Sequence, residues 1–317
     1  MKKLCALLAA LSLVAVQPLS GSRVEAQGQP LQVVATFSVL ADLVANVGGD
    51  AVEVETLVGV NADAHTFEPS PEQVVSLTGA AVIFENGLGF EPWLEGMLDA
   101  ANPDAPIVDV SDGIELRTAS GDDDEAAGHS PHDEHEHDRS DFDPHIWHSV
   151  PNVVTVVETI KTALRTADPD NAAIYEANAA AYTAELEALD AWIIEQVAVL
   201  TEDQRKLVTS HDTFGYFADR YGFEVIGTPL GGSTETAEPS ARDIAELIET
   251  IEDAGVPAIF TENVQNDNLM EQIANDAGVT LAPPLYTDAL GDDESGAGSY
   301  IRMMRFNTET IVQALSA

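Results

Sequence analysis

Cysteine and basic residues are scarce in this 317-residue chain. Its 13 Lys and Arg stand against 55 Asp and Glu, which gives a formal net charge of −42. Such a chain cannot neutralise a phosphate backbone, and an anionic membrane surface would repel it, so we expect no nucleic-acid partner. The single cysteine, Cys5, lies at the front of an apolar stretch, which does not favour a lipid anchor. Partners are therefore expected to be cations or surfaces that tolerate acid.

The N-terminal segment has the composition of a secretory signal peptide. Lys2 and Lys3 precede the apolar stretch 4–16, and small residues follow at 24–26 (VEA). The apolar stretch is too short for a permanent membrane-spanning helix. This order of features predicts that residues 1–26 are cleaved and that the mature protein is periplasmic. The mature chain would contain no cysteine, which excludes disulfides, thiolate metal sites and cysteine nucleophiles.

Short β-branched segments alternate with helical segments in both halves of the mature chain. Residues 27–168 contain four expected strands, near 31–36, 52–58, 80–86 and 106–111. Residues 201–317 contain four more, near 206–210, 223–228, 257–262 and 279–286. Such alternation is typical of parallel sheets covered on both faces. The sequence therefore predicts an α/β protein with two lobes, each a four-stranded, mainly parallel sheet flanked by helices.

Seven helices are expected between and after these strands, near 38–48, 71–78, 91–101, 213–221, 239–254, 267–277 and 300–315. The second begins at 70–73 (SPEQ), a capping box with proline at the first helical position. A longer helix is expected between the lobes. Asp168-Pro169 is a start signal, and apolar residues then recur with the helical period without a breaker. We predict that residues 169–200 form one long rigid helix that joins the lobes.

Residues 121–143 interrupt the globular pattern. They contain ten acids, one base and almost no apolar side chains, so a mobile loop is expected. Half of the chain's eight histidines lie in this loop, at His129, His132, His135 and His137. Neutral imidazole is a common ligand of zinc, copper and nickel, and carboxylates can supplement it. We predict weak metal capture by these histidines, the alternative being a solvated acidic loop in which they are incidental.

The other four histidines lie in polar segments of both lobes. His65 lies in NADAHTFEPSP, after an expected strand, and His211 lies in LVTSHDTFGYF, where the first strand of the second lobe ends. His145 lies in DFDPHIWHSVPN with His148 three residues later, and Asp288 follows the last strand. Ligands of open α/β sheets bind at the carboxyl ends of the strands. Three histidines and a carboxylate in a cysteine-free secreted protein therefore favour a metal site.

These segments and STETAEPSARDIAELI occur in the order found in metal-specific solute-binding proteins of bacterial zinc/manganese ABC importers, and the mature chain resembles that family over essentially its whole length. The resemblance implies two α/β lobes joined by one rigid helix, with a metal in the cleft. It implies that His65 and His145 bind the metal from the first lobe, and His211 and Asp288 from the second. It also implies a membrane permease as partner and no enzymatic activity. We expect the protein to be a monomer.

The ligand set implied by the resemblance favours zinc. Manganese-type members tend to have a carboxylate at the third position, where this chain has His211. Nitrogen-rich tetrahedral sites suit zinc, whereas manganese prefers oxygen-rich ones. The histidine-rich loop favours zinc as well. We therefore expect Zn²⁺, with Mn²⁺ or iron as the alternative.

A secreted zinc hydrolase is an alternative from another class, and an acidic surface adhesin is a third. Three histidines with an open position are typical of catalytic zinc, but Asp288 would fill that position. Residues 210–212 (SHD) are neighbours at a strand end and cannot form a nucleophilic triad by themselves. Glu68 and Glu262 could act as catalytic acids, although a turn carboxylate and an acid that supports a metal ligand are simpler interpretations. No HExxH, GxSxG or P-loop motif is present.

Overall fold

The structure is a computed structural model and describes residues 28–119, 141–230 and 239–316. The signal peptide predicted at 1–26 lies outside the described residues, as do the loop histidines His129, His132, His135 and His137. Within the described ranges the predicted α/β class is confirmed, because eight strands pair in parallel and alternate with helices. None of the helices in these ranges combines the length and the apolar character that crossing a membrane requires.

The first lobe is a four-stranded parallel sheet in the order β2-β1-β3-β4. Its elements are β1 (Leu31–Phe37), α1 (Ser38–Gly48), β2 (Val52–Val58), α2 (Pro71–Leu77), β3 (Val82–Glu85), α3 (Leu94–Ala101) and β4 (Ile107–Asp109). The predicted capping box begins α2, since Ser70 Oγ accepts the Gln73 N–H at 3.4 Å and Gln73 Oε1 accepts the Ser70 N–H at 3.0 Å. Because the strands are parallel, their carboxyl ends share one edge of the sheet, and the loop that carries His65 starts there.

A hairpin of two long helices connects the lobes. It consists of α4 (Val150–Ala167) and α5 (Ala172–Val197), which pack against each other. The 26 residues of α5 span about 39 Å and confirm the long helix predicted at 169–200, except that Pro169–Asn171 form a short 3₁₀ turn. Helix α4 was not among the predicted elements, although its buried residues Val153, Ile160 and Leu164 have helical spacing.

Within the described residues, the second lobe contains four strands and four helices, as predicted. They are β5 (Lys206–Val208), α6 (Gly215–Tyr221), β6 (Glu224–Gly227), α7 (Ala241–Ala254), β7 (Ala258–Glu262), α8 (Asn268–Ala277), β8 (Thr280–Leu285) and α9 (Tyr300–Leu315). In the described part of this lobe, hydrogen bonds join the strands as two parallel pairs, β5-β6 and β7-β8, with β5 beside β7. The predicted single four-stranded ladder is therefore divided into two.

The carboxyl ends of β5 and β7 depart from a regular ladder. β5 is three residues long, and both strand pairs shift register near their carboxyl ends. Beyond β5 the backbone N–H of His211 donates to Glu262 Oε1 at 2.9 Å, so a side chain takes the place of a strand partner. The strands β5 and β7 therefore end at a point where polar side chains, among them His211 and Glu262, lie together.

One apolar core extends through both lobes and the hairpin. It contains Phe84 of β3, Ile160 of α4, Leu186 of α5, Phe217 of α6 and Phe260 of β7, all of them fully buried. Continuous apolar packing of this kind holds elements in one arrangement, because each buried side chain contacts neighbours from several elements. The strand ends of the two lobes are thereby brought face to face.

Candidate metal centre

Four residues from four separate segments meet where the strand ends of the two lobes face each other. His65 lies in the loop after β2, His145 just before the 3₁₀ turn Ile146–His148 that leads into α4, and His211 and Asp288 three residues after β5 and β8. The exposed fraction is 3% for His65 and 0% for the other three. Of the predicted site residues, the structure therefore brings together the four that were assigned to one metal site.

The donor atoms of the four side chains point at one another. His145 Nε2 lies 3.4 Å from His65 Nε2 and 3.4 Å from His211 Nε2. Asp288 Oδ2 lies 3.6 Å from His65 Nε2 and 3.2 Å from His211 Nε2, and Asp288 Oδ1 lies 3.8 Å from His145 Nε2. One donor atom from each residue can be chosen so that all four lie within 4.8 Å of one another. Three ring nitrogens and one carboxylate thus surround a single point.

The imidazole of His145 is fixed from behind by Asp143. Asp143 Oδ1 lies 2.8 Å from His145 Nδ1 and accepts the backbone N–H of His145 at 3.0 Å. A carboxylate can only accept, so the proton is on Nδ1 and Nε2 presents its lone pair to the centre. A carboxylate behind a histidine in this way is typical of metal-binding imidazoles. Asp143 was not among the predicted site residues, although its D-x-H spacing in DFDPH is a usable signal.

Glu262 occupies the corresponding place behind His211. Glu262 Oε2 lies 2.5 Å from His211 Nδ1 and accepts the hydroxyl of Thr287 at 3.0 Å, while Oε1 accepts the His211 backbone N–H. Of the two interpretations given to Glu262, the structure supports the acid that supports a ligand. Glu68 is exposed on the loop after His65 and is not among the four clustered residues.

Aromatic side chains close the first-lobe side of the cluster. The ring of Phe90 packs edge-on against His65, with centroids 4.8 Å apart, and lies 6.2 Å from the ring of His145. Trp147 packs against Phe90 and donates its Nε1–H to the backbone oxygen of Thr287 at 3.0 Å. These contacts exclude water from one side of the cluster, and they tie the His145 segment to the second lobe next to Asp288.

The charges of the cluster shift its pKa values in opposite directions. Burial lowers the pKa of His65 to about 3, so this ring is neutral. Burial also acts to lower the pKa of His211, but Glu262 and Asp288 outweigh it and raise that pKa well above its ordinary value. Burial acts to raise the pKa of Asp288, but His211, His145 and His65 lower it well below its ordinary value. The negative potential that holds a proton on His211 also stabilises a bound cation.

The spacing of the donor atoms matches a small transition-metal ion. The centre of a regular tetrahedron with edges of about 3.4 Å lies about 2.1 Å from each corner, the usual zinc–nitrogen distance. The cluster can therefore hold a four-coordinate cation with all four positions filled by protein. The hydroxyl of Ser210, by contrast, has no hydrogen-bond partner among the described residues, and His211 turns Nε2 towards His145 and Asp288. Residues 210–212 do not form a nucleophilic triad.

His148 lies outside the cluster although it is only three residues from His145. Its side chain is completely buried and stacks on Phe214, with centroids 4.6 Å apart. Neither of its ring nitrogens has a hydrogen-bond partner within the described residues. Burial lowers the pKa of His148 to about 3, so the ring is a neutral part of the core.

Comparison with known proteins gives a consistent result over most of the chain. Residues 33–314 match the family described as zinc-uptake complex component A, periplasmic (ZnuA). The manganese-binding lipoprotein MntA of Halalkalibacterium halodurans is 35% identical over 292 residues, which cover 91% of this chain and 90% of that protein.

Solved structures of similar fold agree with the family match. The periplasmic zinc-binding protein TroA from Treponema pallidum superposes with a TM-score of 0.79 at 30% identity, covering 91% of this chain and 99% of that one. The manganese-bound periplasmic metal-binding protein from Candidatus Liberibacter asiaticus gives a TM-score of 0.76 at 26% identity, covering 90% and 99%. The family match and the names of the relatives describe metal-binding components of transporters, which removes the hydrolase alternative. The chain belongs to the ZnuA family of periplasmic metal-binding components of ABC importers.

Proposed function

We propose that this protein captures zinc outside the cytoplasm with His65, His145, His211 and Asp288 and delivers it to the membrane permease of an ABC importer. The observation that carries the proposal is the convergence of three imidazole Nε2 atoms and one carboxylate in a buried site, with nearest separations of 3.2–3.8 Å. In such a site a divalent cation replaces the proton of His211 and gains four ligands at once. The proposed function is reversible binding of the ion, without a catalysed reaction.

The donor set favours zinc over manganese. Two of the three imidazoles have carboxylates behind them, which makes the nitrogens more basic and holds them in place. A compact nitrogen-rich set suits four-coordinate zinc, whereas manganese prefers six oxygen-rich positions, and zinc binds a given set of this kind more tightly. Zinc is therefore the expected cargo wherever it is available.

Manganese is the second candidate, and the names of relatives favour it. The relative at 35% identity is named manganese-binding, and one of the similar structures was solved with manganese. These names describe the relatives and not this chain. The metal that a site carries in the cell depends on which metal is available in the compartment as well as on affinity. We keep manganese as the alternative for the same four residues.

Competition between the two metals decides between these candidates. Metal-free protein would be titrated with zinc and with manganese against a chelator, and the metal in protein purified from its native compartment would be measured in parallel. The proposal predicts one tight site, occupied by zinc in both measurements. Tighter binding of manganese, or manganese in the native protein, would establish the alternative.

The placement of the four residues supports a closure mechanism. Residues 27–168 contribute His65 and His145, residues 201–317 contribute His211 and Asp288, and residues 169–200 join the two units. Metal then binds best when the lobes are together, and it shifts the population towards that state. The hairpin limits the motion to small rocking of the lobes. Identical scattering and hydrogen exchange of the metal-free and zinc-loaded protein would contradict this mechanism.

The histidine-rich loop is proposed to collect zinc weakly for the same importer. His129, His132, His135 and His137 lie outside the described residues, so the proposal rests on their number and their acidic surroundings. Deletion of residues 121–140 should remove weak zinc binding and leave one tight site. Loss of all zinc binding after the deletion would contradict both this role and the assignment of the tight site.

The proposed route to the periplasm is secretion with cleavage after residue 26, and the proposed state is a monomer. The relative from Halalkalibacterium halodurans is named a lipoprotein. Here the single cysteine, Cys5, precedes most of the apolar run, which supports a cleaved and unanchored form. N-terminal sequencing and mass measurement of the secreted protein test the cleavage, and light scattering tests the monomer.

A further inference from the structure

Arg117 is a basic side chain close behind the metal centre in a very acidic protein. Its Nη1 lies 3.3 Å from Oδ2 of Asp143, and Asp143 Oδ1 in turn holds the ring of His145. The backbone N–H of Asp143 donates to the carbonyl oxygen of Arg117 at 2.8 Å. Among the ion pairs of the described residues, this is the one in which a guanidinium reaches a carboxylate that supports a proposed ligand.

Arg117 also contacts helix α6 of the second lobe. Its backbone N–H donates to the hydroxyl of Tyr216 at 3.0 Å, and its Nε lies 3.3 Å from Oδ2 of Asp219. Gly215, the first residue of α6, lets the guanidinium lie directly on the helix backbone. A Cβ at this position would come within 2.4 Å of Arg117 Nη1 and 2.7 Å of Asp143 Oδ2. One side chain therefore bridges the support of a first-lobe ligand and the start of a second-lobe helix.

We propose that Arg117 is a positioning residue that couples the seating of α6 to the orientation of His145, and thereby sets how long the metal is retained. The inference rests on the proposed function, because it concerns retention of the metal by the same four ligands. When α6 lies against the first lobe, the guanidinium is held over Asp143, and Asp143 holds Nε2 of His145 on the metal. When α6 moves away, the guanidinium loses its support and His145 loses its fixed direction.

The two carboxylates bound by Arg117 contribute unequally. Asp219 is 68% exposed, so its pairing with Arg117 is screened by water and salt and adds little. Asp143 is 3% exposed, and a buried carboxylate that loses a charged partner is strongly destabilised. The effect of Arg117 on the metal centre is therefore exerted through Asp143. Substitution of Asp219 should matter much less than substitution of Arg117.

Three variants of the full-length chain separate the possible roles. R117Q removes the charge, and R117K keeps it without the reach of a guanidinium. G215A keeps Arg117 but displaces it with a methyl group, while alanine favours the helix more than glycine does. R242Q is the matched control, because Arg242 is 82% exposed and pairs only with Glu246 on its own helix among the described residues. Zinc release to a chelator and hydrogen exchange of residues 215–221 are measured for each.

The proposal predicts zinc release about tenfold faster in R117Q, the magnitude usual for loss of a group that supports a metal ligand. R117K and G215A should be faster than wild type, and R242Q should equal it. Zinc should protect residues 215–221 from exchange in wild type but less in R117Q. Equal zinc release rates in R117Q and R242Q would overturn the inference. So would a purely structural effect, in which R117Q loses the same thermal stability with and without zinc while its zinc release rate stays that of wild type. Failure of the wild type to bind zinc would instead refute the proposed function.

Discussion

At the scale of single residues, His145 and His148 have the same side chain and opposite surroundings. His145 has a carboxylate behind Nδ1 and other donor atoms in front of Nε2, whereas His148 has aromatic rings around it. Imidazole needs a fixed tautomer and a free lone pair to bind a metal, and only His145 has the partner that supplies them. The sequence contains part of this difference, because Asp143 precedes His145 by two residues, whereas Phe214, which packs on His148, is distant in the chain.

Phenylalanine substitutions test this distinction. H148F should keep zinc affinity within about threefold of wild type, since it deletes no ligand, and it should raise the melting temperature because two buried nitrogens without partners are removed. H145F should lower zinc affinity by well over tenfold, because it deletes a metal bond. Isothermal titration and thermal melts measure both effects. Equal losses of affinity in the two variants would show that His148 is a ligand.

Glu91 is a buried carboxyl group of the first lobe, next to the carboxyl end of β3. It accepts the hydroxyl of Thr36 at 2.6 Å and the backbone N–H groups of Asn86 and Gly87 at 2.8 and 3.3 Å. Burial raises the pKa of Glu91 to about 8, from 4.5 in an unperturbed carboxyl. Between pH 4.5 and about pH 8, Glu91 is therefore protonated in the folded chain and ionised in the unfolded chain. The free energy of unfolding therefore loses a contribution as the pH rises from about 4.5 to about 8.

The E91Q variant isolates this contribution. Glutamine keeps the shape and cannot ionise, so the stability of wild type relative to E91Q should fall as the pH rises from 5 to about 8. Urea unfolding at several pH values, with zinc absent, measures the difference. The exposed Glu95 supplies the control E95Q. A difference between wild type and E91Q that is independent of pH would contradict the raised pKa.

At the scale of elements, alternation and caps were enough to predict most helices and strands. Eight helices, including the long α5, and eight strands lie within a few residues of their predicted positions, and the capping box at Ser70 forms as predicted. The helix α4 was missed because its β-branched residues, from Val153 to Thr159, are typical of strands by propensity. Burial against α5 and β3 outweighs that propensity, and a single sequence does not show such packing.

The apolar pattern of α5 predicts which face of this helix is buried. Tyr175, Tyr182, Leu186, Leu189 and Ile193 are buried at helical spacing, as their apolar pattern predicts. Substitution L186A should cost about 2–5 kcal/mol in the free energy of unfolding, since it leaves a cavity in the shared core. The control I194A, at a position that is 47% exposed on the same helix, should cost less than about 0.5 kcal/mol. Denaturant unfolding compares them, and equal costs would contradict the assigned face.

At the scale of the whole molecule, the sequence predicted two α/β lobes and the residues that meet between them. It did not predict that hydrogen bonds divide the second sheet into two pairs, nor that Glu262 accepts the His211 N–H across 51 residues, because both depend on contacts between distant segments. The contact between Arg117 and Asp143 was not predicted for the same reason, since 26 residues separate the two, whereas Asp143 lies only two residues before His145. The sequence alone can therefore identify candidate metal ligands, whereas the contacts that support them become visible only in the folded chain.

The net charge of −42 is also a whole-molecule property with a measurable consequence. Repulsion among so many carboxylates opposes compaction, and salt screens it. The melting temperature of the metal-free protein should therefore rise as sodium chloride increases from about 0.05 M to about 1 M. Sucrose at equal osmolality is the uncharged control. A melting temperature that falls or stays level with salt would contradict a dominant role for charge repulsion.

X-ray absorption of the zinc-loaded protein that lacks residues 121–140 is the most direct test of the four-residue metal centre. The deletion removes four of the eight histidines, so the signal comes from the remaining chain. We expect one zinc with three imidazole nitrogens and carboxylate oxygen at about 2.0–2.1 Å. A shell of six oxygens, or a signal without multiple imidazoles, would contradict it.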